Sequence, residues 1–369
     1  MVKNFCFLIV VWTVVFGYSC RNANKKQSSV EVTGWMMEPF EKVDSVNPIL
    51  EPDTSGLFSC PIRKQNVKWE ANNVLNPATV VKDGKVYMLY RAQDKIGILS
   101  GTSRLGLAVS GDGLHFSRLP NPVFYPDNDS MKIYEWEGGV EDPRIVQAQD
   151  GRYIMTYTAW DGKTARLCIA SSADLVIWQK HGLVLPSKYR DLWSKSGAIV
   201  CKQEGEKLVA EKIQGKYWMY WGDTKIFICT SNDLIHWSPL EDDHGQLKVL
   251  FGPRKKKFDS DLVEPGPPPL ITNRGIVFIY NGRNYGPDKD SSLPDATYAA
   301  GQVLINKDDP TSLIGRSDQY FFKPEKDYEI KGEVGNVCFL EGWAPFKNKW
   351  FLYYGTADSR IGVAVYQPD

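Results

Sequence analysis

The chain has 369 residues, and 44 Lys and Arg balance 44 Asp and Glu, giving a formal net charge of zero. No overall field draws such a chain to nucleic acid or to an anionic membrane surface. Its seven cysteines are odd in number and lack zinc-ligand spacing, which excludes a disulfide framework or zinc ribbon, so no metal or other cofactor is expected.

The first residues carry an export pattern. Lys3 precedes an apolar run from Phe5 to Phe16, too short to span a bilayer, and Gly17-Tyr18-Ser19 then leads to Cys20. This layout predicts export, cleavage before Cys20 and lipidation of Cys20, so that a lipid anchor is the only expected membrane contact. The polar stretch from Arg21 to Val32 reads as a tether. The expected plan is a signal peptide over 1–19, a tether and N-terminal segment over 20–60, and one catalytic domain over 61–369.

From Gly84 onward one pattern recurs five times. A turn with Gly or Asn is followed by an aromatic-rich strand, a second apolar strand, and often Ser-x-Asp-x-x-x-Trp/Phe. The copies open at Gly84, Gly151, Gly215, Gly275 and Asn348, about 60 to 75 residues apart. That spacing holds four short strands with their loops. Apolar and polar residues alternate within the copies and no long segment has a 3.6-residue period, so the expected fold is all-β, a five-bladed β-propeller with an axial pocket. Asp112, Asp174 and Asp233 read as turn caps inside this repeat. His115 and His236 share those turns, leaving only His181 and His244, so Ser-His-Asp or Cys-His chemistry has little to build on. Cys168 and Cys229 sit in apolar strands and read as core. The chemistry must run on carboxylates.

Segments that interrupt the repeat mark the pocket. Asn76-Pro77 precedes the first copy and Arg91 follows its Tyr-rich strand. Glu141-Asp142-Pro143-Arg144 precedes the second, placing two acids and a guanidinium beside a proline. Lys195-Ser196-Gly197 and Gly222-Asp223-Thr224 flank the third. Val263-Glu264-Pro265 leads through a proline run into the fourth. A structural ion pair at Glu141–Arg144 and a bland loop at Glu264 are the plainer readings. Adjacent acids are nonetheless costly to bury unless something uses them. Acids from different blades meeting at one pocket are what glycosidic cleavage needs: one protonates the leaving oxygen and another activates water. Trp136, Trp160, Trp193 and Tyr285 could stack on sugar rings.

Three of these motifs carry a family likeness: Glu141-Asp142-Pro143-Arg144, Gly266-Pro267-Pro268-Pro269-Leu270, and Tyr353-Tyr354-Gly355-Thr356-Ala357-Asp358. With them the chain resembles glycoside hydrolase family 130, the five-bladed mannoside phosphorylases and mannosidases, over roughly residues 65 to 366. The resemblance implies that Asp142 is the proton donor or a ligand of the mannose at the cleavage site. It also implies sugar contacts for Asn76, Arg91, Glu141, Arg144, Lys195, Asn281 and Asp358. Phosphorylase members carry Tyr-His-Gly where this chain has Tyr280-Asn281-Gly282, and a Gly-rich stretch where it has Val263-Glu264-Pro265. Losing a cation and gaining a carboxylate favours water over a phosphate dianion. The likeness therefore leans to the hydrolytic branch, with Glu264 or Asp223 as base, acting on a mannose-containing oligosaccharide, β-1,2-linked, from the chain end with inversion. The rivals are a phosphorylase releasing mannose 1-phosphate, which Arg144, Arg166 or Lys195 could serve, and a glycan-binding propeller without catalysis. A WD-type interaction propeller lacks its signature here.

Overall fold

In the computed structural model, residues 34–99 and 101–368 are described, so the signal-peptide, tether and Cys20 expectations lie outside the described residues. The regular structure of the described residues is almost entirely strand, apart from four-residue helices at Lys132–Glu135 and Asp327–Ile330 and a short 3-10 turn.

The strands form five antiparallel four-stranded units, each an up-and-down meander. The first comprises Asn73–Lys82, Lys85–Gln93, Ser103–Ser110 and Ser117–Arg118. The second comprises Gly139–Gln147, Tyr153–Trp160, Ala165–Ser172 and Trp178–Leu183. In the third, Ala198–Ile199 pairs with Tyr217–Trp221, which is followed by Ile226–Ser231 and Trp237–Pro239. The fourth runs from Leu262–Pro265 through Ile276–Asn284 and Thr297–Ile305 to Leu313–Arg316. The fifth uses Cys338–Phe346, Lys349–Thr356 and Arg360–Tyr366, and its outer strand is Glu41–Lys42 from the other end of the chain. This corrects the expected boundary at residue 61. The described residues from Gly34 onward belong to one compact unit, and Phe40 and Leu50 are buried in its core.

Hydrogen bonds join successive units in a cycle. Asn76 donates to Asp142, Thr156 to the Gly197 carbonyl, Ser196 to Glu264, Asn281 to the Leu340 carbonyl, and Thr79 to the Trp343 carbonyl. The fifth unit thus meets the first, although no single sheet closes into a barrel.

Two repeated devices hold the units together. In the Ser-x-Asp turns, Ser110 Oγ accepts from Gly113 N, and Asp112 Oδ1 accepts from Leu114 N and His115 N. Residues 172–177 and 231–236 repeat the arrangement, as the sequence predicts. The second device is a buried tyrosine whose hydroxyl donates to a buried acid that also meets a cation. It comprises Tyr90, Glu70 and Arg118 in the first unit; Tyr157, Glu135 and Lys180 in the second; Tyr280, Asp259 and Arg316 in the fourth; and Tyr354, Glu329 and Lys42 in the fifth. Each acid is thus buried with its charge and lone pairs matched. In the third unit the tyrosine, Tyr220, donates to the Pro310 carbonyl instead. The five described cysteines are free and buried.

Candidate active site

The first strand of each unit, or in the third unit the segment just before it, carries a polar residue at one equivalent place: Asn76-Pro77, Asp142-Pro143, Ser196-Gly197, Glu264-Pro265 and Glu341-Gly342. A bulge breaks the ladder there in the first, second and fifth units, between Leu75 and Pro77, Glu141 and Arg144, and Leu340 and Gly342. Asn76 and Asp142 adopt left-handed φ values of 46° and 49°, a region that Asn and Asp tolerate better than most residues. A bulge re-aims a side chain. Here it turns Asn76 and Asp142 into one pocket.

That pocket has a volume of about 210 Å³, below the usual range for drug-sized ligands and on the scale of a single sugar ring. Asn76, Arg91, Asp142, Lys195, Glu264 and Asp358 line it together. Gln93, Tyr298, Glu333 and Phe339 line it as well, and the sequence reading missed them.

Ion pairs occupy its cations. Arg91 meets Asp142 Oδ1 at 3.1 Å and Glu141 Oε1 at 2.7 Å, and Lys195 Nζ lies 3.2 Å from Glu264 Oε1. Burial would raise the Asp142 carboxyl, but Arg91 and Lys195 outweigh it and hold Asp142 down at about 2. Glu264 moves the other way: burial, reinforced by Asp223, pushes it up against the pull of Lys195. Burial and the charge of Asp142 push Asp358 up to about 6 despite Arg91. The two carboxyls are thus shifted in opposite directions, Asp142 down and Glu264 up, the reverse of what Asp142 as acid and Glu264 as base would need.

Three expected residues are placed differently. Arg144 is buried and donates to the Gly266, Pro265 and Asp142 carbonyls, so it braces the strands bearing Asp142 and Glu264 and does not face the pocket. Asn281 is fully buried, its amide both donating to and accepting from the Leu340 backbone. It joins the fourth unit to the fifth and does not line the pocket. Asp223 does not line the pocket but lies near enough for its charge to act on Lys195 and Glu264, and its Oδ2 accepts from the Trp193 indole at 2.6 Å. Glu141 touches the site through Arg91 and Ser103.

Glu341 was missed altogether. It is fully buried, neither carboxylate oxygen has a hydrogen-bond partner, and Arg144 lies 3.6 Å away. Burial drives its carboxyl well up. A lone acid inside the apolar run from Val337 to Phe346 was the available signal. No group of three or more metal-ligating side chains occurs among the described residues.

A family model described as beta-1,4-mannooligosaccharide phosphorylase matches residues 40–369. A 1,2-beta-oligomannan phosphorylase from Thermoanaerobacter sp. is 34% identical over 82% of this chain and 92% of its own length. Among solved structures, a glycosyl hydrolase from Bacteroides ovatus is 47% identical, with a TM-score of 0.88, covering 90% of this chain and 95% of its own. Another is 45% identical, with a TM-score of 0.89 and the same coverage. Its description is of a GH130 family of mannoside phosphorylases containing glycoside hydrolases that target beta-1,2 mannosidic linkages in Candida mannan.

Proposed function

The chain belongs to glycoside hydrolase family 130, whose members act on β-mannosides, and from that premise we propose that it removes the terminal mannosyl unit of a β-1,2-mannoside with inversion, using water as acceptor. In this reading the five units are the blades of a propeller and its axial pocket takes one sugar. Asp142 and Glu264 are the proton-transfer pair. Arg91, Lys195, Asn76 and Asp358 hold the hydroxyls. Export and lipid attachment at Cys20 belong to the same proposal and rest on the N-terminal sequence alone.

The observation that carries water over phosphate is the charge of the pocket. Four acids line it, Asp142, Glu264, Glu333 and Asp358, against Arg91 and Lys195, both already paired. A phosphate dianion would have to displace those carboxylates and meet the remaining ones at close range, whereas water pays no such cost. A single-ring pocket of this size also supports attack at a chain end.

The curated relatives favour a second reading, phosphorolysis with release of mannose 1-phosphate. The family model and the Thermoanaerobacter protein are both described as phosphorylases. One experiment separates the two: β-1,2-mannobiose is incubated with the enzyme, with and without inorganic phosphate, and the products are resolved. Mannose released at full rate without phosphate supports hydrolysis. Mannose 1-phosphate formed only with phosphate establishes the second reading instead.

A further inference from the structure

We propose that Trp193, held by Asp223 and Trp160, is the platform for the sugar on the leaving-group side of the bond, and that it makes the site prefer a saccharide leaving group.

The inference rests on the proposed exo-acting reading and starts from an exposed tryptophan. Trp193 is 46% exposed, whereas Trp69, Trp221 and Trp343 are fully buried. Left in solvent, so large an apolar face is normally mobile, yet this one is fixed on two sides. Its indole N–H donates to Asp223 Oδ2 at 2.6 Å, and Trp160 meets it edge-on, with centroids 5.5 Å apart at 65°. Trp160 is itself confined, because it lies against Gly138, where any Cβ would fall 1.8 Å from the ring.

Placement gives the platform its meaning. Trp160 ends the second strand of the second unit, and Asp223 follows the second strand of the third. Asp358 holds the same place in the fifth unit, two residues past its second strand, and it lines the pocket. The Asp223 end of the platform thus occupies the same place in its unit as a pocket-lining acid. Trp193 also precedes Lys195 and Ser196 by two and three residues, and Gly222 N donates to the Lys195 carbonyl at 3.0 Å, tying this segment to the Asp223 turn. The charge of Asp223 is felt by both Lys195 and Glu264.

An exo-acting pocket that holds one ring at its floor must pass the rest of the substrate out through its mouth. The next sugar then meets an aromatic face for its C–H surface, with a carboxylate beside it for a hydroxyl. Asp223 is in this arrangement a positioning residue for Trp193, which removes it from the two candidates for the base.

The test is kinetic. In Trp193→Ala, KM for β-1,2-mannobiose and β-1,2-mannotriose should rise about 3- to 12-fold, the range of one aromatic contact, while kcat moves less than about twofold. Inhibition by free mannose, which occupies only the floor, should not change, and Trp193→Phe should restore most of the affinity. Asp223→Asn should show a weaker form of the same KM effect. A Trp193→Ala enzyme with unchanged KM for both saccharides overturns the platform while leaving the functional reading intact. So does one that loses mannose inhibition in equal measure. An Asp223→Asn enzyme whose kcat collapses returns Asp223 to the chemistry and overturns its positioning role. A wild-type protein that neither binds nor cleaves any β-mannoside overturns the functional reading, and the platform with it.

Discussion

Two sets of carboxylates, all buried but the half-buried Asp358, run through this molecule and differ in what surrounds them. Glu70, Glu135, Asp259 and Glu329 each accept from a tyrosine hydroxyl and face a cation at 2.5–2.9 Å. Those of the central site, Asp142, Glu264, Asp358 and Glu341, share three cations among four acids, and Glu341 has no hydrogen bond at all. The first set is matched acid by acid; the second is left short of positive charge and of donors. A site that must receive sugar hydroxyls and move protons needs that shortage, because fully satisfied acids have nothing to offer a ligand.

Substitution should separate the sets cleanly. The largest expected effect is on turnover: Asp142→Asn and Glu264→Gln should each lower kcat by on the order of 10²–10⁴, with the fold intact by circular dichroism and thermal melting. Full activity in Asp142→Asn would remove that residue from the chemistry. Glu329→Ala should act in reverse. It removes the nearer acid from Lys42 and leaves the Tyr354 hydroxyl without its acceptor in the core, costing about 3–5 kcal/mol in urea titration, while turnover per folded molecule stays near normal. A Glu329→Ala protein of wild-type stability would erase the distinction between the two sets.

A smaller effect concerns pH. The Asp358 carboxyl sits at about 6 in the folded protein, against an ordinary value of 3.8. Because the folded state holds this proton more tightly, stability from Asp358 is highest below pH 3.8, falls as pH rises toward 6, and is level beyond. Asp358→Asn should flatten that part of the urea-midpoint profile; an unchanged slope would mean Asp358 is not the group responsible. The smallest effect is expected at Asp112, whose exposed carboxylate caps a turn. Asp112→Asn keeps most of the cap, so stability should change by no more than about 0.5 kcal/mol and turnover not at all.

The sequence reading reached the strand units because their signals are local: Gly or Asn turns, aromatic strands and Ser-x-Asp caps repeat at regular intervals. It also picked out Asp142, Glu264, Lys195 and Arg91, since each interrupts that repeat, and Asp358 through the family motif that carries it. It misread Asn281 and Arg144, because whether a polar side chain faces a pocket or a neighbouring backbone depends on contacts more than fifty residues away. The same distance hid the tyrosine–acid–cation groups, whose members lie up to 287 residues apart. Tyr298 and Phe339 escaped notice since aromatic residues in strands look alike whether they face core or ligand.

The outer strand of the fifth unit leads to a matter of timing. Glu41–Lys42 is among the first of the described strands to leave the ribosome, yet its partner, Arg360–Tyr366, is among the last. Lys42 also supplies the cation for Glu329. Until the final strand emerges, Glu329 lacks its counter-ion and the fifth unit its edge, so four units can form while the fifth waits. Contacts this distant in sequence are slow to make. A chain stopped short of residue 360 should therefore stay open and sensitive to protease.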